Sequence, residues 1–178
     1  MTIKLHDIHA AVEDYLSSSV TTLVNGIRPA SGGTMNPNEE GKFDILVTNV
    51  DDPNGVPLVN ARFHLTFKKD ANGNDIGALF KVPDPTTKAL TAVRENSSET
   101  SALLTPGTLV TSMVLFPNND TLVVGGSFEA IDLVVRTPSG KFNYDVTVQC
   151  HAHAEADPDF LFPPNDPTKN GSITFTVS

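Results

Sequence analysis

Tryptophan is absent, tyrosine occurs twice and cysteine once. Sandwich domains that hold sugars normally do so on exposed aromatic platforms, so a chain this poor in Trp and Tyr lacks their usual means. A lone Cys150 cannot close an internal bridge, which excludes a disulfide-stapled scaffold. Basic residues are scarce: 12 Lys and Arg stand against 21 Asp and Glu, a formal net charge of −9. None of them cluster in the sequence, so a nucleic-acid or anionic-membrane partner finds no basic run to displace counterions from phosphate. No apolar stretch approaches the roughly 18 residues of a membrane-crossing helix. Met1 to Val12 carries acid and His where a signal peptide needs an apolar run. The expectation is an unsignalled, cytoplasmic chain with no nucleic-acid partner and no membrane insertion.

What the chain does have is punctuation. Its 12 Gly and 13 Pro are spread through all 178 residues, which suits many short elements in one domain. Leu5, Ile8, Val12 and Leu16 recur at helical spacing, with Asp7, Glu13 and Asp14 between them. This predicts one amphipathic helix, in an N-terminal arm over 1–24. From Val20 onward the texture alternates instead. Strands are expected at Lys42 to Asn49, Leu58 to Phe67, Ile76 to Val82, Leu90 to Arg94, Leu109 to Phe116, Phe128 to Val135, Phe142 to Ala154 and Ser172 to Val177. Ala61, Phe63, Leu65 and Phe67 share one face of theirs, and Asn60, Arg62, His64 and Thr66 the other. Leu109 to Phe116 is apolar enough to be buried on both faces. Ala30 to Gly41 and the Pro-rich Asp157 to Pro167 read as loops. The pattern predicts an all-β domain over 25–178, an antiparallel sandwich of about eight or nine strands, with a barrel as the alternative.

Asn36-Pro37-Asn38-Glu39-Glu40-Gly41-Lys42-Phe43, then Val47-Thr48-Asn49 and Gly55-Val56-Pro57-Leu58-Val59-Asn60, resemble the opening of bacterial immunoglobulin-like modules of the CARDB-like, cell-adhesion-related kind. Gly125-Gly126-Ser127-Phe128 and Tyr144-Asp145-Val146-Thr147-Val148 look like their closing strands. The resemblance implies a non-catalytic structural or adhesive module and carries over no functional residue. The helix and the Asp157 to Pro167 segment depart from the pattern.

Chemistry is concentrated in one place. His151, His153, Glu155 and Asp157 alternate with alanines, so on a strand they stand in a row at roughly 6.6 to 7 Å intervals. Imidazole and carboxylate suit a divalent transition metal, with outward-facing His64 as a further ligand. The other reading of the row is a polar, solvated face. His6 and His9 are three apart on the predicted helix and are taken as solvated. Asp70, Asn72, Asn74 and Asp75 suggest a calcium loop, but Asp75 stands where that loop needs Gly and Lys81 where it needs an acid. A hairpin turn accounts for them. Ser127 lacks the second glycine of a nucleophile elbow, since Glu129 occupies its place. Cys150 falls on an apolar phase and reads as a small hydrophobe. Phe160 and Phe162 either cap the core or anchor a partner.

These features predict a non-enzymatic structural or protein-interaction module, with no resident cofactor and with a protein partner or a second copy as its ligand. Two alternatives remain. One is a metal-binding sandwich or metal-dependent enzyme using His151, His153, Glu155 and His64, and the other is a calcium-assisted carbohydrate-binding module.

Overall fold

A computed structural model describes residues 20–23, 34–48, 57–139, 143–154, 157–162 and 171–177, with side chains described for 36–45 and 57–139. The predicted helix, His6, His9 and Glu155 lie outside the described residues. In chain order the strands are β1 (Val20–Leu23), β2 (Thr34–Met35), β3 (Glu40–Thr48), β4 (Leu58–Phe67), β5 (Leu79–Lys81) and β6 (Leu90–Arg94). They continue as β7 (Leu109–Val110), β8 (Ser112–Pro117), β9 (Ser127–Arg136), β10 (Asn143–Ala154), β11 (Asp157–Phe162) and β12 (Gly171–Val177). The first sheet has the order β1-β3-β9-β5-β7 and the second β2-β12-β10-β4-β8-β6, with β11 also on β10. Every pair is antiparallel except β2 with β12. The protein is therefore a two-sheet β-sandwich, antiparallel apart from that pair. The first sheet takes in Val20–Leu23, which the sequence pattern assigned to the arm.

One core lies between the sheets. Phe43, Ile45, Phe80, Leu133 and Val135 from the first sheet meet Ala61, Phe63, Leu65, Met113 and Leu115 from the second, all at 2% exposure or less. Aromatic stacking ties the layers together. The rings of Phe63 and Phe128 lie 4.2 Å apart and those of Phe67 and Phe80 4.0 Å apart, both nearly parallel. β4 alternates as its sequence predicts, with Phe63 and Leu65 buried and Arg62, His64 and Thr66 half-buried on the opposite phase. In β10, Val146, Val148 and Cys150 stand opposite Phe67, Leu65 and Phe63, while Thr147, Gln149 and His151 stand opposite Thr66, His64 and Arg62.

Three sequence expectations need correction. Leu109 to Phe116 is two strands, since β7 pairs with β5 in the first sheet and β8 with β4 and β6 in the second. The exposed Thr111 is where the chain changes layer. A continuous apolar run reads as one strand, yet only β8 is buried on both faces; Leu109 of β7 is exposed and Val110 half-buried. The segment from Asp157 is also no loop as far as Phe162. β11 pairs Phe162 with Ala152 and Leu161 with His153, then jumps to Ala154 with Asp157, so Pro158 falls in the unpaired gap where its missing N–H costs no ladder bond. β2 similarly lies within the stretch read as a loop from Ala30.

Bulges centred on left-handed residues shift the phase of β4 and β9. Asn60 (φ 55°) puts an extra residue in β4 against β10, so that both Leu58 and Ala61 reach the core. Asp132 (φ 54°) does the same in β9, leaving Ile131 exposed between inward Ala130 and Leu133. Asn and Asp tolerate the left-handed region better than most side chains. The buried Asp44 carboxylate braces the second bulge by accepting from the Asp132 N–H at 2.9 Å.

Ala89 sits at φ 53°, just past the 3-10 turn Pro85–Thr87 and its C-terminal cap Lys88. Helical segments usually place glycine there, because a Cβ strains the left-handed backbone. Ala89→Gly is expected to raise stability by about 0.5 to 1 kcal/mol, the left-handed penalty less the entropy of glycine. Urea unfolding checks it; a loss of stability would mean that the Ala89 methyl contributes packing.

Candidate functional site

The outer face of the second sheet is where the described side chains depart from an ordinary solvated surface. β8 is buried on both sides: Met113 and Leu115 enter the core, while Val114 and Phe116 point the other way, yet are only 0% and 9% exposed. With Ala92 of β6 they form a second apolar cluster on the outside of the sandwich. Two arginines cover it. The guanidinium carbon of Arg62 lies 4.7 Å from the centroid of the Phe116 ring and that of Arg94 5.5 Å from it, both within cation–π range.

A hairpin extending from β6 crosses over these arginines. The Glu95 N–H donates to the Ala102 carbonyl at 3.0 Å, and Leu103 bridges back to Arg94. Inside it the Ser98 N–H donates to Asn96 Oδ1, and Ser101 Oγ to the Ser98 carbonyl. The hairpin is tied down from below: Arg94 Nη1 donates to the Ser101 carbonyl at 2.7 Å and Arg62 Nη2 to Glu99 Oε1 at 2.7 Å. The Arg62 side chain is 15% exposed and that of Glu99 75%. Arg62 Nε is buried and finds no hydrogen-bond partner among the described residues.

His64 occupies the next outward position on β4, opposite Val114 on one side and Gln149 on the other. Burial pushes its imidazole below the usual histidine range. Arg62 and Arg94 share this face of the sheet, and His151 is one position diagonal across β10. A depressed histidine pKa means that the unfolded chain binds the proton more readily, so stability rises with pH through the window just below 6.5 and is lost as pH falls through it. We expect the melting temperature to drop between pH 7 and pH 5, and His64→Gln to flatten that slope. An unchanged slope would assign the pH dependence to another group.

The predicted metal row is distributed as follows. His151 and His153 lie on β10, with the bulged β4 opposite; Arg62 stands across from His151 and Val59 across from His153. His64 is opposite Gln149, so the register puts a fixed cation, and not His64, directly beside His151. Replacing both His151 and His153 by Ala is therefore expected to leave the melting temperature unchanged with and without Zn²⁺. A zinc-dependent rise in the parent that is lost in the variant would establish a metal site instead. Phe160 and Phe162 are on β11. Asp70 closes a turn of its own: Oδ1 accepts from the Asn72 and Asn74 N–H groups, both at 2.9 Å, and these bonds hold its carboxyl below the usual range. A recess of about 10 Å³ beside this turn, lined by Phe67, Ile76 and Thr111, has room for no more than a water.

The Arg62, Arg94, Phe116 and Glu99 grouping is absent from the sequence expectations. Its one available signal was the doubly apolar run now seen as β8, which needs something to cover its outward residues.

No protein-family model matches the sequence, and no curated protein does. Several solved structures are similar. One, described by "AvmM Catalyzes Macrocyclization in Alchivemycin A Biosynthesis", is 12% identical over 88% of this chain and 94% of its own, with a TM-score of 0.42. A putative membrane-anchored protein from Corynebacterium diphtheriae is 13% identical with a TM-score of 0.46; the similarity covers 90% of this chain but 35% of that one. The sixth cohesin of Acetivibrio cellulolyticus scaffoldin B, in complex with a dockerin, is 12% identical over 83% of this chain and 95% of its own, with a TM-score of 0.41. Likeness at this level carries no argument about function. The sandwich assignment rests on the two sheets themselves.

Proposed function

We propose that the chain is a non-enzymatic protein-interaction module and that the outer face of its second sheet is the docking surface. One observation carries the reading: Phe116 is packed on the outside of the sheet under two guanidinium groups. Solvated sheet faces need no second apolar cluster. Aromatic and arginine side chains held rigidly at a surface are the types that dominate protein interfaces, because they offer a large contact area with little left to immobilise. Val114, Phe116 and Ala92 supply the apolar floor, Arg62 and Arg94 the polar layer, and His64 a neutral neighbour at pH 7.

The test is reconstitution. Immobilised parent protein captures a partner from extract; that partner is identified, purified and titrated against the parent and Arg94→Glu. Binding at least about tenfold weaker to the variant supports the reading, as expected when a packed interfacial charge is inverted. Equal binding to both, or no partner at all, overturns it. A second copy of this chain counts as a partner, and light scattering of parent and variant reads that case.

A further inference from the structure

We propose, resting on that reading, that Glu99 holds in the free protein the seat of a partner's carboxylate. An acidic side chain of the partner displaces Glu99 and docks on Arg62 beside Arg94. The contact is incomplete as it stands. Arg62 gives one bond to Glu99, Nη2 to Oε1 at 2.7 Å, while its buried Nε–H has no partner among the described residues. The Nε and Nη2 edge of a guanidinium is shaped to take both oxygens of a carboxylate in parallel, and Glu99 delivers only one.

The two partners are also unequally held. Arg62 is packed on Phe116 and nearly covered, whereas Glu99 stands in solvent on a hairpin. Exposed ion pairs of this kind hold weakly, so a better-placed carboxylate can displace Glu99. Charge points the same way. Arg62, His64, Thr66, Ser112, Val114, Phe116, Ala92 and Arg94 include no acid, and Arg94 spends its bond on a neutral carbonyl. Glu99 therefore neutralises one of two arginines, in a chain whose net charge is −9. The complementary occupant is an acidic protein segment.

The experiment uses a fluorescein-labelled hexaglutamate peptide at low ionic strength, read by anisotropy, with the intact parent and the variants Glu99→Gln, Glu95→Gln and Arg94→Gln. Glu99→Gln is expected to bind about two- to fivefold tighter than the parent, the gain from removing an exposed competing ion pair. Glu95→Gln makes the same charge change on the same hairpin without an arginine contact, and its gain should be smaller. Arg94→Gln should weaken binding. Equal gains for Glu99→Gln and Glu95→Gln, no measurable binding to Glu99→Gln, or equal affinity for an oligothymidylate of the same length would overturn the proposal. Unchanged circular dichroism and melting temperature confirm that the variants are folded. If the purified partner is lost on Arg94→Glu but not gained on Glu99→Gln, the seat fails while the docking surface stands. If Arg94→Glu changes nothing, the docking surface itself fails.

Discussion

Phe80→Ala is expected to cost about 3 to 5 kcal/mol, a large fraction of the total stability of an ordinary domain. Phe80 is fully buried on a strand of only three residues, β5, whose backbone pairing can contribute little alone. Its ring stacks on Phe67 at 4.0 Å and meets Phe43 at 6.0 Å, so it joins the second sheet to the centre of the first. Truncation leaves a cavity between two rings anchored in opposite layers, and neither can collapse into it without moving its sheet. The matched control is Leu103→Ala on the exposed return of the hairpin, at 64% exposure, which should change stability by less than about 0.5 kcal/mol. The midpoint of urea unfolding reads both variants. A loss below about 2 kcal/mol for Phe80→Ala would show that the sheets close over the gap.

Gly126→Ala is expected to cost about 1 to 3 kcal/mol, by overpacking and not by strain in φ. Gly125 (φ 77°) turns the chain, and the Gly126 N–H donates to the Val123 carbonyl at 2.7 Å, closing the turn before β9. A Cβ on Gly126 would stand 2.8 Å from Val123 Cγ2 and 2.9 Å from the Val123 carbonyl oxygen. The exposed Val123 side chain can rotate away. The carbonyl cannot move without breaking the bond that closes the turn. Gly73 separates this cause from backbone strain: it has φ 80° and nothing within 4 Å of an added Cβ. Gly73→Ala should therefore cost only the left-handed penalty less the entropy of glycine, about 0.5 to 1 kcal/mol. If a smaller side chain at Val123, in the double variant Val123→Ala with Gly126→Ala, restored full stability, the side chain and not the carbonyl would be the obstacle.

The sequence by itself determined the class of the protein, because a strand half-buried on one face must alternate and these strands do. Leu58 to Phe67 and Leu90 to Arg94 are strands at the bounds their patterns predict, and the long alternation to Ala154 is the 12-residue β10. The turn at Asp70 to Asp75 was legible as well, since Asp and Asn caps act on the backbone two to four residues away, but it is not the expected hairpin: β4 and β5 lie in different sheets. What only the tertiary structure decided depends on register between distant segments. The layer change at Thr111 is invisible because the run is apolar on both sides of it, although only β8 is buried. The bulges at Asn60 and Asp132 are single residues whose backbone conformation answers to the strand opposite. β11 forms because β10 offers it an edge, and the Pro158 that argues against a strand falls in a gap of the pairing. The arginine-covered face required Arg62, Arg94, Glu99 and Phe116 to be brought together from two strands, a hairpin and β8. No period within one segment encodes that meeting; pairing β4 with β8 and β8 with β6 does.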